Sequence, residues 1–247
     1  MEKTMLWLPG WGMTDQCWSA VRSQFPSYRH LVPDYSAVTS PEHFAHAIQK
    51  EIHALEAQSL IVVGWSMGGM LALRLAAEHP VAGLVLIGTT ARFVRSRDER
   101  QKGWSELLVQ RMKQLLPMER ERVMTDFMGR MLTEKEREEG QYLLWEDAGR
   151  QGWSLQALDA GLSYLCEEDC RPWLASLSCP TLIIHGTEDV ICPMPAGEEL
   201  AARIPHAAFL QLAGCGHAPP VFCPDVIAEA IKRMVGPDVE DSRQQPF

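Results

Sequence analysis

Leu60-Ile61-Val62-Val63-Gly64-Trp65-Ser66-Met67-Gly68-Gly69-Met70-Leu71-Ala72-Leu73 is the stretch that decides how this chain folds. A short apolar, β-branched run ends in Gly-x-Ser-x-Gly, and a helix-forming run begins directly behind it. Strand, tight turn and helix in that order are the setting a nucleophile elbow requires. The serine stands at the apex of a turn whose backbone is forced into a sparsely populated conformation. Gly64 and Gly68 carry no Cβ, so strand and helix can close on each other. The helix aims its first N–H groups at the place where an oxyanion would form. The competing reading is a glycine-rich turn with an incidental serine. Choosing between them requires a base, an acid and a second oxyanion donor from elsewhere in the chain.

Outward from the elbow, residues 5–8, 30–33 and 84–87 read as further strands. Asp15 is expected to cap a helix to about residue 25, with Trp18, Val21 and Phe25 on one face. Pro41 lies near the start of a helix to about residue 57, in which Phe44, Ile48, Ile52 and Leu55 recur at helical spacing. The helix behind Ser66 should run to about His79, before Pro80. Strands alternating with helices imply right-handed crossovers and an α/β fold with a mostly parallel sheet flanked by helices. Residues 60–63 and 84–87 are apolar throughout, as strands covered on both faces are.

The alternation stops at about Ala91. Helices are expected over about 98–116, 118–132, 134–148 and 154–165, with apolar stripes such as Leu107, Met112 and Leu115. Strands resume at 180–186 and 207–212, and a last helix spans 225–235. This is one α/β core, residues 1–90 and 174–236, interrupted by an all-helical insertion over 91–173 and followed by a polar tail, 237–247.

Composition narrows the function. The 247 residues are 46% apolar and 22% charged, enough for a substantial core. The net charge of −9 argues against nucleic acid as the main partner. No apolar run approaches the ~20 residues of a membrane span, and the one at the N-terminus is too short for a signal peptide. The expected location is the cytoplasm. The seven cysteines, without paired CxxC spacing, read as isolated reduced thiols rather than as a metal site around Cys166 and Cys170. No metal or cofactor is expected.

A serine hydroxyl needs a base to take its proton and an acid to orient that base. His217 is the candidate base. It lies in the loop Ala213-Gly214-Cys215-Gly216-His217-Ala218-Pro219, directly after a strand. Sites in open α/β sheets form at the carboxyl ends of strands, where Ser66 also lies. His43, His46 and His53 fall on a helix face open to solvent, and His185 reads as a core residue or a support for the site. The acid is Asp189, with Glu188 its neighbouring rival, in the turn after the 180–186 strand. Asp34 precedes the elbow and suits less. The order Ser66, Asp189, His217, each behind its own strand, is the order this layout demands. For the oxyanion, the N–H of Met67 is one donor and that of Trp11, in Pro9-Gly10-Trp11-Gly12, is the other.

With these residues assembled, the chain resembles the α/β-hydrolase superfamily over nearly its whole length. More narrowly it is similar to the pimeloyl-acyl-carrier-protein methyl ester esterases of biotin synthesis. The resemblance rests on Leu8-Pro9-Gly10-Trp11-Gly12-Met13 with Trp18, on Gly64-Trp65-Ser66-Met67-Gly68-Gly69, and on Gly216-His217-Ala218-Pro219. It implies an α/β-hydrolase fold, a triad of Ser66, Asp189 and His217, oxyanion donors at Trp11 and Met67, and a lid over an acyl pocket formed by residues 91–173. It also implies that Phe127 is an aromatic substrate contact of that lid. One departure stands out: Pro9 occupies the place of the family's usual histidine, so any steadying of the loop by that side chain is lost.

The segment from Arg92 to Arg122 holds nine basic and five acidic residues, a net +4 in a chain of −9. An acidic acyl-carrier protein could dock there, led by Arg95, Arg97 and Arg100; the alternative is a solvated helical face. The expected function is a serine carboxylesterase acting through an acyl-enzyme, with a carrier-linked pimeloyl methyl ester as substrate. Its rivals are a broad short-chain carboxylesterase or thioesterase and, from another class, a non-catalytic binding member of the fold.

Overall fold

A computed structural model describes residues 3–53, 59–138 and 152–236. Six parallel strands form one sheet: β1 (Thr4–Leu8), β2 (Arg29–Leu31), β3 (Leu60–Trp65), β4 (Gly83–Ile87), β5 (Thr181–Gly186) and β6 (Ala208–Leu212), in the order β2-β1-β3-β4-β5-β6. The four central strands are buried along their whole length, while the edge strands β2 and β6 are partly exposed. Their near-continuous apolar sequence follows from helices covering both faces.

Those helices are short and amphipathic. A 3₁₀ turn (Asp15–Trp18) runs into α1 (Ser19–Arg22), followed by α2 (Glu42–Ile52) and, behind the elbow, α3 (Met67–Glu78). Helix α3 packs on β1, β3 and β4 and against α2. Between β4 and β5 lie a 3₁₀ turn (Arg97–Lys102), α4 (Glu106–Leu115), α5 (Arg120–Met131), α6 (Glu134–Glu138) and α7 (Leu155–Glu167). The chain returns through β5, α8 (Met194–Arg203), β6, α9 (Pro219–Phe222) and α10 (Pro224–Val235), which packs against β4, β5 and α1.

Several elements differ from expectation. Asp15 does not cap a helix; its carboxylate pairs with Arg22 at 3.3 Å, and residues 15–22 split into a 3₁₀ and an α piece, although Trp18, Val21 and Phe25 are buried as the periodicity predicts. Strand β2 is three residues long. The helix expected over 98–116 is broken at Gly103, where a Cβ would lie 2.3 Å from the Phe93 carbonyl oxygen. There Trp104 N–H donates to Phe93 O at 2.9 Å and Arg95 N–H to Trp104 O at 2.8 Å, a short β-bridge in a segment read as free of strand. Leu107, expected on the buried stripe, is 79% exposed, and Val109 and Leu116 are buried instead. Helix α8 was not legible, and α6 is described only to Glu138. The rest of the expected 134–148 helix, Leu55 and the 237–247 tail lie outside the described residues. None of the seven cysteines is in a disulfide. Cys215 and Cys223 are in contact, not isolated, with their Sγ atoms 2.8 Å apart. Among the described residues no helix is long and apolar enough to cross a membrane.

Arg95 also differs. Its side chain is fully buried and ion-paired with Glu199 of α8 and with Glu99, while Nε–H donates to Arg92 O at 2.8 Å. It ties the inter-strand segment to the core and is not a surface charge. Removing one partner of a buried pair weakens what holds the other, here a Glu199 left with Lys102 alone at 3.0 Å. Arg95→Met should therefore lower the unfolding free energy by about 3 kcal/mol, read as a reduced urea midpoint with unchanged slope.

Candidate active site

Ser66 occupies the turn between β3 and α3 with φ 56° and ψ −121°, a left-handed conformation rare for a side-chain-bearing residue. The neighbourhood leaves it no alternative. A Cβ on Gly68 would lie 2.0 Å from the Leu8 carbonyl oxygen, and one on Gly64 would lie 2.4 Å from the Gly68 carbonyl oxygen. Ser66 N–H donates to Ile87 O at 3.0 Å, and Thr89 Oγ1–H donates to Ser66 O at 2.7 Å. The elbow is therefore pinned to the ends of β1 and β4 at once.

His217 follows β6 and Asp189 follows β5, as their positions in the sequence suggest. His217 Nε2 lies 2.9 Å from Ser66 Oγ, and His217 Nδ1 lies 2.7 Å from Asp189 Oδ2. A carboxylate only accepts, so Nδ1 carries the proton and Nε2 is left to accept from the serine hydroxyl. Asp189 Oδ1 accepts from the N–H groups of Ile191 and Cys192, each at 2.8 Å. Burial is nearly complete: His217 is 0%, Asp189 4% and Ser66 7% exposed. Glu188, the rival acid, is exposed. Asp34 is exposed too, and its carboxylate accepts from Ser36 N–H at 2.8 Å.

The other candidates divide. Met67 follows Ser66 directly, and a Cβ on Gly10 would lie 3.3 Å from Ser66 Cβ, so the Trp11 loop abuts the serine. Neither the Met67 nor the Trp11 amide donates to a protein acceptor among the described residues. The Trp11 indole N–H donates to Leu158 O at 2.9 Å, and the ring stands edge-on to Phe127 at 4.9 Å. Phe127 is buried on α5 and touches the wall behind the Trp11 loop. His43, His46 and His53 are exposed on or next to α2. Among the described residues no cluster of three or more His, Cys, Asp or Glu could hold a metal ion.

Sequence reasoning placed His185 only loosely. It is fully buried on β5, its Nε2–H donates to Cys192 O at 2.6 Å, and that nitrogen lies 3.6 Å from Asp189 Oδ2. Burial holds its pKa below the ordinary 6.5, so it is neutral beside the Asp189–His217 pair. The signal that would have found it is positional: an internal polar residue in an otherwise apolar strand, four before Asp189.

Fold and site together define the chain's class: it belongs to the alpha/beta hydrolase family, whose profile matches residues 5–230. Among its relatives, the pimeloyl-[acyl-carrier protein] methyl ester esterase of Aromatoleum aromaticum is 30% identical over 92% of this chain and 96% of its own length. The protein of the same name from Xanthomonas campestris is 34% identical over 85% of this chain and 88% of its own. The crystal structure of a bromoperoxidase from Bacillus anthracis superimposes with a TM-score of 0.84 at 20% identity, covering 95% of this chain and 92% of that one, a likeness of fold.

The neutral His185 has a consequence for pH. A buried histidine with a lowered pKa contributes stability that is complete above the unfolded value of 6.5 and is lost as pH falls below it. Urea unfolding at about pH 7.5 and about pH 5.5 should show a smaller acid loss in His185→Gln than in the unsubstituted protein. An identical loss in both would rule out His185 as a source of this dependence.

Proposed function

We propose that the chain is a serine hydrolase of carboxylic esters, and that its substrate is a methyl ester carried on an acyl-carrier protein. The observation that carries the first part is the relay of 2.9 Å from Ser66 Oγ to His217 Nε2 and 2.7 Å from His217 Nδ1 to Asp189 Oδ2. Such a chain activates a serine and has little use as a purely structural arrangement beside a strained turn.

In this reading Ser66 Oγ attacks the ester carbonyl carbon while its proton passes to His217 Nε2. Negative charge collects on the former carbonyl oxygen, where the Met67 and Trp11 N–H groups receive it. The tetrahedral intermediate collapses, and the departing alkoxide takes the proton from Nε2 and leaves as the alcohol. Water then attacks the acyl-enzyme, gives its proton to Nε2, and the acid leaves as Ser66 recovers its hydrogen. Asp189 holds the imidazole tautomer and balances the transient imidazolium.

The carrier-linked substrate is supported by the likeness to the pimeloyl-[acyl-carrier protein] methyl ester esterases and by the surface of the inter-strand segment, which acts as a lid. Between α4 and α5 lies a cleft of about 260 Å³ lined by Trp104, Leu108, Met112, Val123 and Phe127 together with Arg111, Arg130, and Arg122 paired with Asp126. Phe127 joins this cleft to Trp11. Of the three arginines that lead the docking surface, Arg97 and Arg100 are exposed, Arg95 is excluded by its burial, and the exposed Arg111 takes its place. Arg92, Lys102 and Lys113 are ion-paired with Asp169, Glu199 and Asp159.

Two measurements test the proposal. Ser66→Ala should lower hydrolysis of p-nitrophenyl esters by at least ~10⁴-fold and abolish labelling by a fluorophosphonate; near-normal turnover would exclude the nucleophile. Replacing Arg97, Arg100 and Arg111 together by Gln should slow hydrolysis of methyl pimeloyl carrier protein about tenfold and spare free methyl esters. An equal effect on both substrates would remove the carrier from the proposal.

A further inference from the structure

We propose that Glu136 is a positioning residue for His217, so that the inter-strand segment helps to assemble the base as well as to cover the site. The proposal rests on His217 serving as the base. Glu136 is 4% exposed, whereas Glu134 and Glu138, its neighbours on α6, are exposed. Its Oε2 accepts from Thr133 N–H at 2.8 Å while Thr133 Oγ1 accepts from Glu136 N–H at 3.2 Å, a capping box at the start of α6. A capping glutamate needs only that oxygen. The other, Oε1, accepts at 3.0 Å from the N–H of Gly216, 80 residues away in sequence and adjacent to His217.

The next residue continues the seam: His217 N–H donates to Met131 O at 2.7 Å. The two backbones touch there, since a Cβ on Gly216 would lie 2.5 Å from Met131 O and 2.7 Å from Glu136 Oε2. On the sheet side, Glu188 N–H donates to Cys215 O at 3.0 Å and the Trp65 indole N–H to His217 O at 2.7 Å. The loop carrying the base is thus held from two directions, by the core at Cys215 and at His217 O, and by the segment after α5 at Gly216 and His217 N. On the second side the Glu136 carboxylate is the side-chain acceptor for the Gly216 N–H. Removing it leaves the buried Gly216 N–H without an acceptor and frees the peptide that sets where Nε2 meets Ser66 Oγ. Misplacement by 1 Å at such a point costs up to ~10²-fold in rate.

The experiment compares Glu136→Ala, Glu136→Gln and the exposed controls Glu134→Gln and Glu138→Gln on short p-nitrophenyl esters. It also measures the rate of fluorophosphonate labelling of Ser66 and the low-field proton resonance of the His217 Nδ1–H···Asp189 bond. Glu136→Ala should lower kcat and the labelling rate by about 10- to 10²-fold with little change in KM, and should shift or broaden the resonance. Glu136→Gln keeps one acceptor and the side-chain volume, so it should fall between, and the controls should match the unsubstituted protein. A stability loss in folded Glu136→Ala with normal kcat and an unmoved resonance would reduce the residue to a helix cap and overturn the proposal. If Glu136→Ala does not fold, a folded Glu136→Gln with normal kcat and resonance overturns it equally. Failure of the unsubstituted Ser66 to label would instead count against the nucleophile, and the resonance, which depends only on His217 and Asp189, would still decide on Glu136.

Discussion

The left-handed backbone of Ser66 is the constraint on which the rest of the structure depends. A conformation of that kind costs of order 1–3 kcal/mol and persists only where its surroundings over-determine it. Here they do so through contact and pairing together: α3 presses Gly68 against the end of β1, while β4 takes the Ser66 amide at Ile87. Both require β3 to lie between β1 and β4, which is the observed order of the sheet. The loop after β1 then falls beside the serine because β1 is the neighbour of β3. The site inherits its layout from strand order.

Electrostatics add a second constraint. A buried carboxylate is tolerated only when its lone pairs are occupied. Asp189 has two backbone N–H groups on one oxygen and an imidazole N–H on the other. Two imidazoles approach that second oxygen, from His217 at 2.7 Å and His185 at 3.6 Å. The Cys192 carbonyl draws the His185 proton away, and burial keeps that ring neutral. His217 is therefore the ring whose proton lies on the Asp189–Ser66 line, a selection made by one carbonyl oxygen.

What was legible in the sequence tracks how local each cause is. Strands β1, β3, β4 and β5 were readable because burial on both faces demands an unbroken apolar run; Ser66 and Asp189 follow such runs, and His217 follows the partly exposed edge strand β6 in a loop marked by glycines and prolines. Helix α8 was not, its first turn carrying Pro195 and Gly197, two poor helix formers. Yet Gly197 is there because a Cβ would lie 2.6 Å from His185 Nδ1, a residue on another element. The break at Gly103 has the same origin, its obstacle being the Phe93 carbonyl. Arg95 looked like one more surface charge because its partner Glu199 is 104 positions away. Local periodicity carries no information about contacts of that range, and the Arg95–Glu199 pair and the Glu136–Gly216 bond are of that kind.

Those long-range contacts change how the inter-strand segment is to be understood. The core supplies the three relay residues from the ends of β3, β5 and β6, but the loops on either side of the serine are hydrogen-bonded to the segment itself. On one side Leu158 O receives the Trp11 indole and the Trp153 indole N–H donates to Met13 O at 2.9 Å. On the other Glu136 and Met131 receive Gly216 and His217. A cover attached only at its two ends could vary without touching the chemistry beneath. One bonded to both loops cannot, because any displacement of α5, α6 or α7 is passed to a loop within a residue or two of Ser66's neighbours. The geometry of both loops beside Ser66 is thus coupled to α5, α6 and α7 through these hydrogen bonds, and the part of the sequence that was hardest to read is tied directly to them.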